Sequence, residues 1–274
     1  MTETLEAFFL STPDGQRFCL HSRPNGTVRA AVLYVHPFAE ELNKTRRMAA
    51  LQARSLAEAG YAVLQIDLRG CGDSSGDFGD ATWQSWVDDV VLAGQWLRGK
   101  YRLPLWLWGL RAGCLLGAAA APRLGPDCNF LFWQPAASGK LLLQQFLRLK
   151  LASGLLGGNS KASSEALRIA LQRGETVEIA GYHLSAQLAL GLEQATLSPP
   201  KAAFGRLECL EVSARPDATP TPATSHLLGL WRQAGYAARA RLVEGPAFWQ
   251  TAEIEQANAL LPATLETLDL TPAP

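Results

Sequence analysis

The sequence predicts an α/β fold: a mostly parallel central sheet with helices on both faces and an inserted helical cap. Three observations predict it. Short apolar runs without alternation, such as AAVLYV at 30–35, read as strands buried on both faces. These runs take turns with helical patterns, and that order argues for parallel pairing through right-handed crossovers. Residues 105–121, LWLWGLRAGCLLGAAAA, pass from a strand through Gly109, Leu110, Arg111, Ala112 and Gly113 into a small-residue helix. That is strand, sharp turn, helix.

The elements follow in order. Residues 6–10 and 16–21 read as two strands around the turn Pro13-Asp14-Gly15. Residues 30–35 make a buried strand that runs into His36-Pro37-Phe38. A helix over 44–59 ends at Gly60. The strand 61–66 leads into a glycine-rich loop, DLRGCGDSSG, at 67–76. Trp83, Trp86, Val90 and Leu97 fall at helical spacing. After the 105–121 stretch, 128–133 is a further strand. The periodicity then changes. Residues 141–156 are a strongly apolar helix, GGNS at 157–160 breaks it, and helical segments follow near 162–172 and 183–194, with a short strand candidate near 176–180. We read 134–204 as the cap, and 1–133 with 205–274 as the core. The core resumes with a strand at 207–213, a helix at 226–234, a strand at 238–243 and a closing helix at 254–268, expected to bend at Pro262.

Composition narrows the function. The 274 residues are enough for one large α/β domain, and formal net charge is zero, so no basic field points to nucleic acid. Five scattered cysteines form no C-x-x-C pair, which points to reduced thiols in the cytoplasm. No apolar stretch reaches the ~20 residues of a transmembrane span. The four histidines are far apart and form no metal motif, and the loop GCGDSSG lacks nucleotide-binding spacing. No metal or cofactor is expected.

In an open parallel sheet the working crevice lies beyond the carboxyl ends of the strands. The residues there are His36, Asp67, Arg111, Gln134, Asp217 and Phe248. The stretches HPFAEELNKTRRMAA (36–50), GYAVLQIDLRGCGDSSGDF (60–78), LWGLRAGCLL (107–116), WQPAASGKLLLQQFLRLK (133–150) and EIAGYHLS (178–185) make the chain resemble the α/β-hydrolase superfamily. More closely, it resembles the exosortase A system-associated hydrolase 2 family. That resemblance implies the α/β-hydrolase fold and a genetic setting beside exopolysaccharide and exosortase genes. It also implies where a Ser-Asp-His triad would sit. The serine position is Arg111, whose guanidinium stays protonated and cannot attack a carbonyl. The acid position is Asp217. The histidine position is Phe248, or its neighbour Ala247, and neither moves a proton.

The sequence leaves several replacements open. His36, Glu41 and Cys71 are atypical catalytic candidates. The polar cluster at 36–47 offers two readings for Arg111. Glu40 or Glu41 pairs with it, because a buried guanidinium needs compensation. Alternatively Arg111, Arg46 or Arg47 grips a carboxylate or phosphate near a helix start. His36, Phe38, Glu40, Glu41, Arg46, Arg47, Arg111, Trp133, Gln134 and His183 are the expected pocket. Three functions remain: a non-catalytic protein binding an acidic ligand or an exopolysaccharide-pathway partner, an atypical ester or thioester enzyme, and an interaction protein using Leu141, Leu142, Leu143, Phe146 and Leu147 as an exposed patch.

Overall fold

The computed structural model describes residues 4–156, 164–201, 204–215 and 217–269. The chain opens with a hairpin. β1 (Thr4–Thr12) and β2 (Gly15–Arg23) pair antiparallel with Thr12 opposite Gly15, so Pro13-Asp14 alone make the turn. Gly15 has φ 128°, and a Cβ there would fall 2.5 Å from the Ser75 Cβ, so backbone and neighbour both require glycine.

The strand–helix alternation follows. β3 (Ala30–Val35), α1 (Glu40–Glu58), β4 (Tyr61–Ile66), α2 (Trp83–Tyr101), β5 (Leu105–Leu110), α3 (Ala112–Ala120) and β6 (Cys128–Trp133) come in sequence order. The chain then leaves the sheet for α4 (Gly139–Leu156), α5 (Ser164–Gln172), the hairpin β7 (Val177–Ile179) with β8 (Tyr182–Leu184), and α6 (Ala186–Gln194). It returns through β9 (Gly205–Ser213), α7 (Pro222–Gln233), β10 (Tyr236–Glu244) and α8 (Leu260–Asp269).

The eight-stranded sheet has the order β1-β2-β4-β3-β5-β6-β9-β10. The pairs β1–β2 and β2–β4 are antiparallel and the rest are parallel. From β3 the chain steps to β4 on one side, then crosses back to β5 on the other. The crevice of an open sheet forms at such a reversal, here between the carboxyl ends of β3 and β5. One face of the sheet packs on α2, α3 and α7, and the other on α1 and α8.

Four expectations need correction. α1 begins at Glu40 rather than Lys44, although Ala39 before it offers no side-chain cap. The insertion is not wholly helical, because Ala180 (φ 50°) and Gly181 (φ 85°) turn 177–184 into a hairpin where a helix was expected from 183. Pro262 does not bend a long helix. It lies in the first turn of a short one, where its missing N–H costs nothing. The apolar stretch of α4 is no exposed patch: Leu142, Leu143, Phe146 and Leu147 are buried, and only Leu141 of the five stands out at 52%. The GGNS break lies outside the described residues.

Two buried polar groups were not foreseen. Arg17 and Asp89 are 1% and 3% exposed, and Arg17 Nε donates to Asp89 Oδ1 at 2.7 Å. The other carboxylate oxygen accepts the Arg69 backbone N–H at 2.7 Å, so the pair ties the hairpin and α2 to the glycine-rich loop. His21, also buried, lies 2.8 Å from the Tyr101 hydroxyl through Nε2. Burial, helped by Lys100 and Arg23 and opposed by Glu6, pushes its pKa down to about 4. A depressed histidine stabilises the fold above its unfolded pKa and loses that contribution as pH falls. Urea titrations should therefore show ~3 kcal/mol lost between pH 7 and pH 4 through this residue. His21→Phe should flatten that part of the profile, and an unchanged slope would contradict the assignment.

All five cysteines are buried and unpaired. Among the described residues no helix is long and apolar enough to cross a membrane, and no three His, Cys, Asp or Glu side chains are placed to hold a metal.

Candidate functional site

Arg111 sits between β5 and α3 at φ 54° and ψ −111°. A left-handed backbone at a non-glycine residue costs ~1–3 kcal/mol and persists only where the surroundings impose it. Its two flanking glycines show what imposes it. A Cβ at Gly113 would lie 2.0 Å from the Val35 carbonyl oxygen, and one at Gly109 would lie 2.5 Å from the Cys114 nitrogen. The helix must start hard against the strands, and the residue at the bend is thrust into the crevice. A second such corner, Ala39 (φ 51°, ψ −128°), starts α1 beside it.

The Arg111 side chain is held on several sides. Nε donates to Glu41 Oε1 at 3.2 Å, Nη2 donates to Gln145 Oε1 of α4 at 2.8 Å, and the guanidinium carbon lies 5.8 Å from the Trp249 ring centroid. Its partner is thus Glu41, not Glu40. Burial pushes the Glu41 carboxyl up to about 7, against the opposing pull of Arg111, and burial raises Glu40 as well. Each of these glutamates keeps one carboxylate oxygen, Oε2, buried without a hydrogen-bond partner.

A cavity of about 210 Å³ opens here. Phe38, Phe146 and Trp249 give it aromatic walls, Leu142 and Leu149 aliphatic ones, and Glu40, Glu41, Gln145 and Gln250 its polar groups. None of the lining residues is basic, and Arg111 stands directly behind them, bonded to Glu41 and Gln145 and beside Trp249.

The other expected residues lie elsewhere. His36 is buried; Nε2 accepts the Leu68 N–H at 3.2 Å, so Nδ1 carries the proton and donates to the Pro37 carbonyl at 2.8 Å. Burial lowers its pKa, and the ring serves the loop as a neutral brace. Arg46 pairs with Asp67 at 3.3 Å, and Arg47 faces the Gln256 amide. Trp133 is buried on the α8 face, donating from Nε1 to Thr264 at 3.0 Å. Gln134 bridges β6 and β9, accepting the Val212 N–H at 2.8 Å. His183 is exposed on β8. Cys71 is buried, and burial pushes its thiol well above the ordinary range. Asp217 is exposed in the loop after β9, and Phe248 is 0% exposed, packed edge-on against Trp133 and Trp249. Of the expected pocket, the structure therefore brings Phe38, Glu40 and Glu41 to the cavity, next to Arg111. It does not bring His36, Arg46, Arg47, Trp133, Gln134 or His183 to its wall.

Leu142, Gln145, Phe146, Leu149, Trp249 and Gln250 line the cavity without having been expected there, and of these Gln145 and Trp249 also meet Arg111. Trp249 had one signal, its place beside the histidine position. Gln145 had none, being one polar residue on a leucine-rich helix.

The strand order, the strained corner after β5 and the Gly109/Gly113 packing together decide the architecture. The chain has the α/β-hydrolase fold. The α/β-hydrolase family described as serine aminopeptidase, S33 matches residues 26–160. No curated protein matches the sequence. Est1E from Butyrivibrio proteoclasticus with ferulic acid bound superposes with a TM-score of 0.68 at 15% identity, covering 96% of this chain and 99% of that one. An α/β serine hydrolase without lid from Xanthomonas campestris gives 0.58 at 17% identity, covering 98% and 97%. The thioesterase domain from the curacin biosynthetic pathway gives 0.56 at 18% identity, covering 96% and 99%. At these identities the α/β-hydrolase likeness is one of fold.

Proposed function

We propose that this α/β-hydrolase-fold protein binds rather than cleaves, as a cytoplasmic accessory of exopolysaccharide and exosortase-associated systems. The observation that carries the reading is Arg111 on the nucleophile's corner, tied to Glu41 and Gln145. A guanidinium there cannot form an acyl intermediate, and the position that would supply an imidazole is a buried phenylalanine. The resemblance of the 36–50, 60–78 and 107–116 stretches supports the genetic setting, and five unpaired thiols suit a reducing compartment. An acidic ligand is the less favoured occupant in this reading: Arg111 has its counter-charge, Arg46 pairs with Asp67, and the cavity wall carries carboxylates.

A fluorophosphonate probe should leave the purified protein unlabelled, and p-nitrophenyl butyrate should not turn over above buffer. Rapid labelling of one serine would end the proposal.

A second reading has an observation behind it. Glu41 lines the cavity with a carboxyl pushed up to about 7, which is where a general base for a water nucleophile is most effective. An atypical ester or thioester hydrolase would then show a rate that rises through pH 7 and is lost in Glu41→Gln. The interaction reading loses its motive with the burial of Leu142, Leu143, Phe146 and Leu147.

A further inference from the structure

We propose that the cavity beside Arg111 takes an organic ammonium: a protonated amine carried on a short apolar group. The proposal rests on the binding reading above and names its ligand class. The wall sets two carboxylates, Glu40 and Glu41, among aromatic rings and leucines, and it has no basic residue. Arg111 answers one of those carboxylates only, through Glu41 Oε1. The wall therefore carries more negative than positive charge. Oε2 of Glu40 and of Glu41 are buried with nothing donating to them. Negative charge on the wall that Arg111 and the nearby Lys44 offset only in part attracts a cation, and the faces of Phe38, Phe146 and Trp249 add to that attraction, because an aromatic face is the negative end of the ring quadrupole. The alkyl part has its own surface. Leu142 and Phe146 are buried in the wall, while Leu149 is 38% exposed where the cavity meets solvent. At about 210 Å³ the cavity suits a head group and a few methylenes rather than a large ligand. A carboxylate or phosphate head would meet like charge on the same wall.

The raised carboxyl of Glu41 supplies a second signature. The charged groups acting on it are Arg111 from the corner after β5, and Glu40 and Lys44 from α1. A bound cation favours its ionised form, so binding near pH 7 should release protons and tighten as pH rises from 6 to 8.

The test uses the whole protein and three probes of one length: n-hexylammonium, n-hexanol and n-hexanoate, followed by calorimetry at pH 8. Hexylammonium should bind about tenfold or more tightly than hexanol, and hexanoate more weakly than either. Glu40→Gln should cut the preference for ammonium over hexanol while leaving the Glu41–Arg111 pair in place. Should that variant fail to fold, calorimetry of the native protein at pH 7 in buffers of different ionisation enthalpy still decides, since proton release is expected with hexylammonium and not with hexanol. Hexanoate binding as well as hexylammonium, equal binding of ammonium and alcohol, or no binding by any probe would each overturn the ligand class. None of these results touches the non-catalytic reading, which falls only to the serine probe or to ester turnover.

Discussion

Gly113→Ala should cost the protein ~3 kcal/mol or more and lower its urea midpoint accordingly. The added Cβ would lie 2.0 Å from the Val35 carbonyl oxygen and 2.9 Å from that of His36. Both obstacles are backbone, in the β3 strand end and the loop after it, so no side chain can swing aside. Overpacking a tight core costs ~1–3 kcal/mol where neighbours can yield, and more where they cannot. Gly117 is the control. It lies on the same helix, and a Cβ there would meet only the Leu107 Cβ at 3.6 Å, an ordinary contact. Gly117→Ala should therefore be neutral, or stabilise by ~0.5–1 kcal/mol through the helix backbone. Similar losses in the two variants would show that the close approach of α3 to β3 is not what holds the bend.

Asp89→Ala should be comparably costly, at ~3 kcal/mol. It takes from the Arg17 guanidinium, 1% exposed, its buried counter-charge and leaves it only the half-exposed Asp14, whose Oδ1 accepts from Nη2 at 2.9 Å, and it removes the acceptor of the Arg69 N–H. Breaking a buried pair from one side costs far more than the pair contributes. Replacing both partners with apolar residues, Arg17→Met with Asp89→Leu, should recover much of the loss. If the single and double variants are equally unstable by chemical denaturation, the cost lies in the loop contact rather than in the lost counter-charge.

Most of the sheet can be read directly in the amino acids. Strands β3 to β6 are buried on both faces, so they appear as unbroken apolar runs, and the two glycines around Arg111 announce the corner through the room they leave. The ends of elements are harder. Ala39 before α1 carries no capping side chain, and Ala180-Gly181 lacks the Asn-Gly signature of a tight hairpin, so tertiary contacts decide both. The site was legible only in part, for a different reason. Arg111 and Phe248, at two of the three strand ends where a triad is expected, carry the reading that it is incomplete. What replaces it depends on Gln145 and Trp249, which arrive from an inserted helix and a distant loop, and on which of two adjacent glutamates turns towards the arginine. A single helical step decides that choice, and side-chain packing sets it. The Arg17–Asp89 pair was invisible because its members are 72 residues apart and each looks like an ordinary surface charge.

The five sulfhydryls are spread across the molecule: Cys19 on β2, Cys71 in the glycine-rich loop, Cys114 on α3, Cys128 on β6 and Cys209 on β9, none of them accessible. An alkylating reagent can reach any of them only when that layer breathes. Mass spectrometry of partly alkylated protein would thus give a map, cysteine by cysteine, of which layers loosen first and whether an occupied cavity slows them.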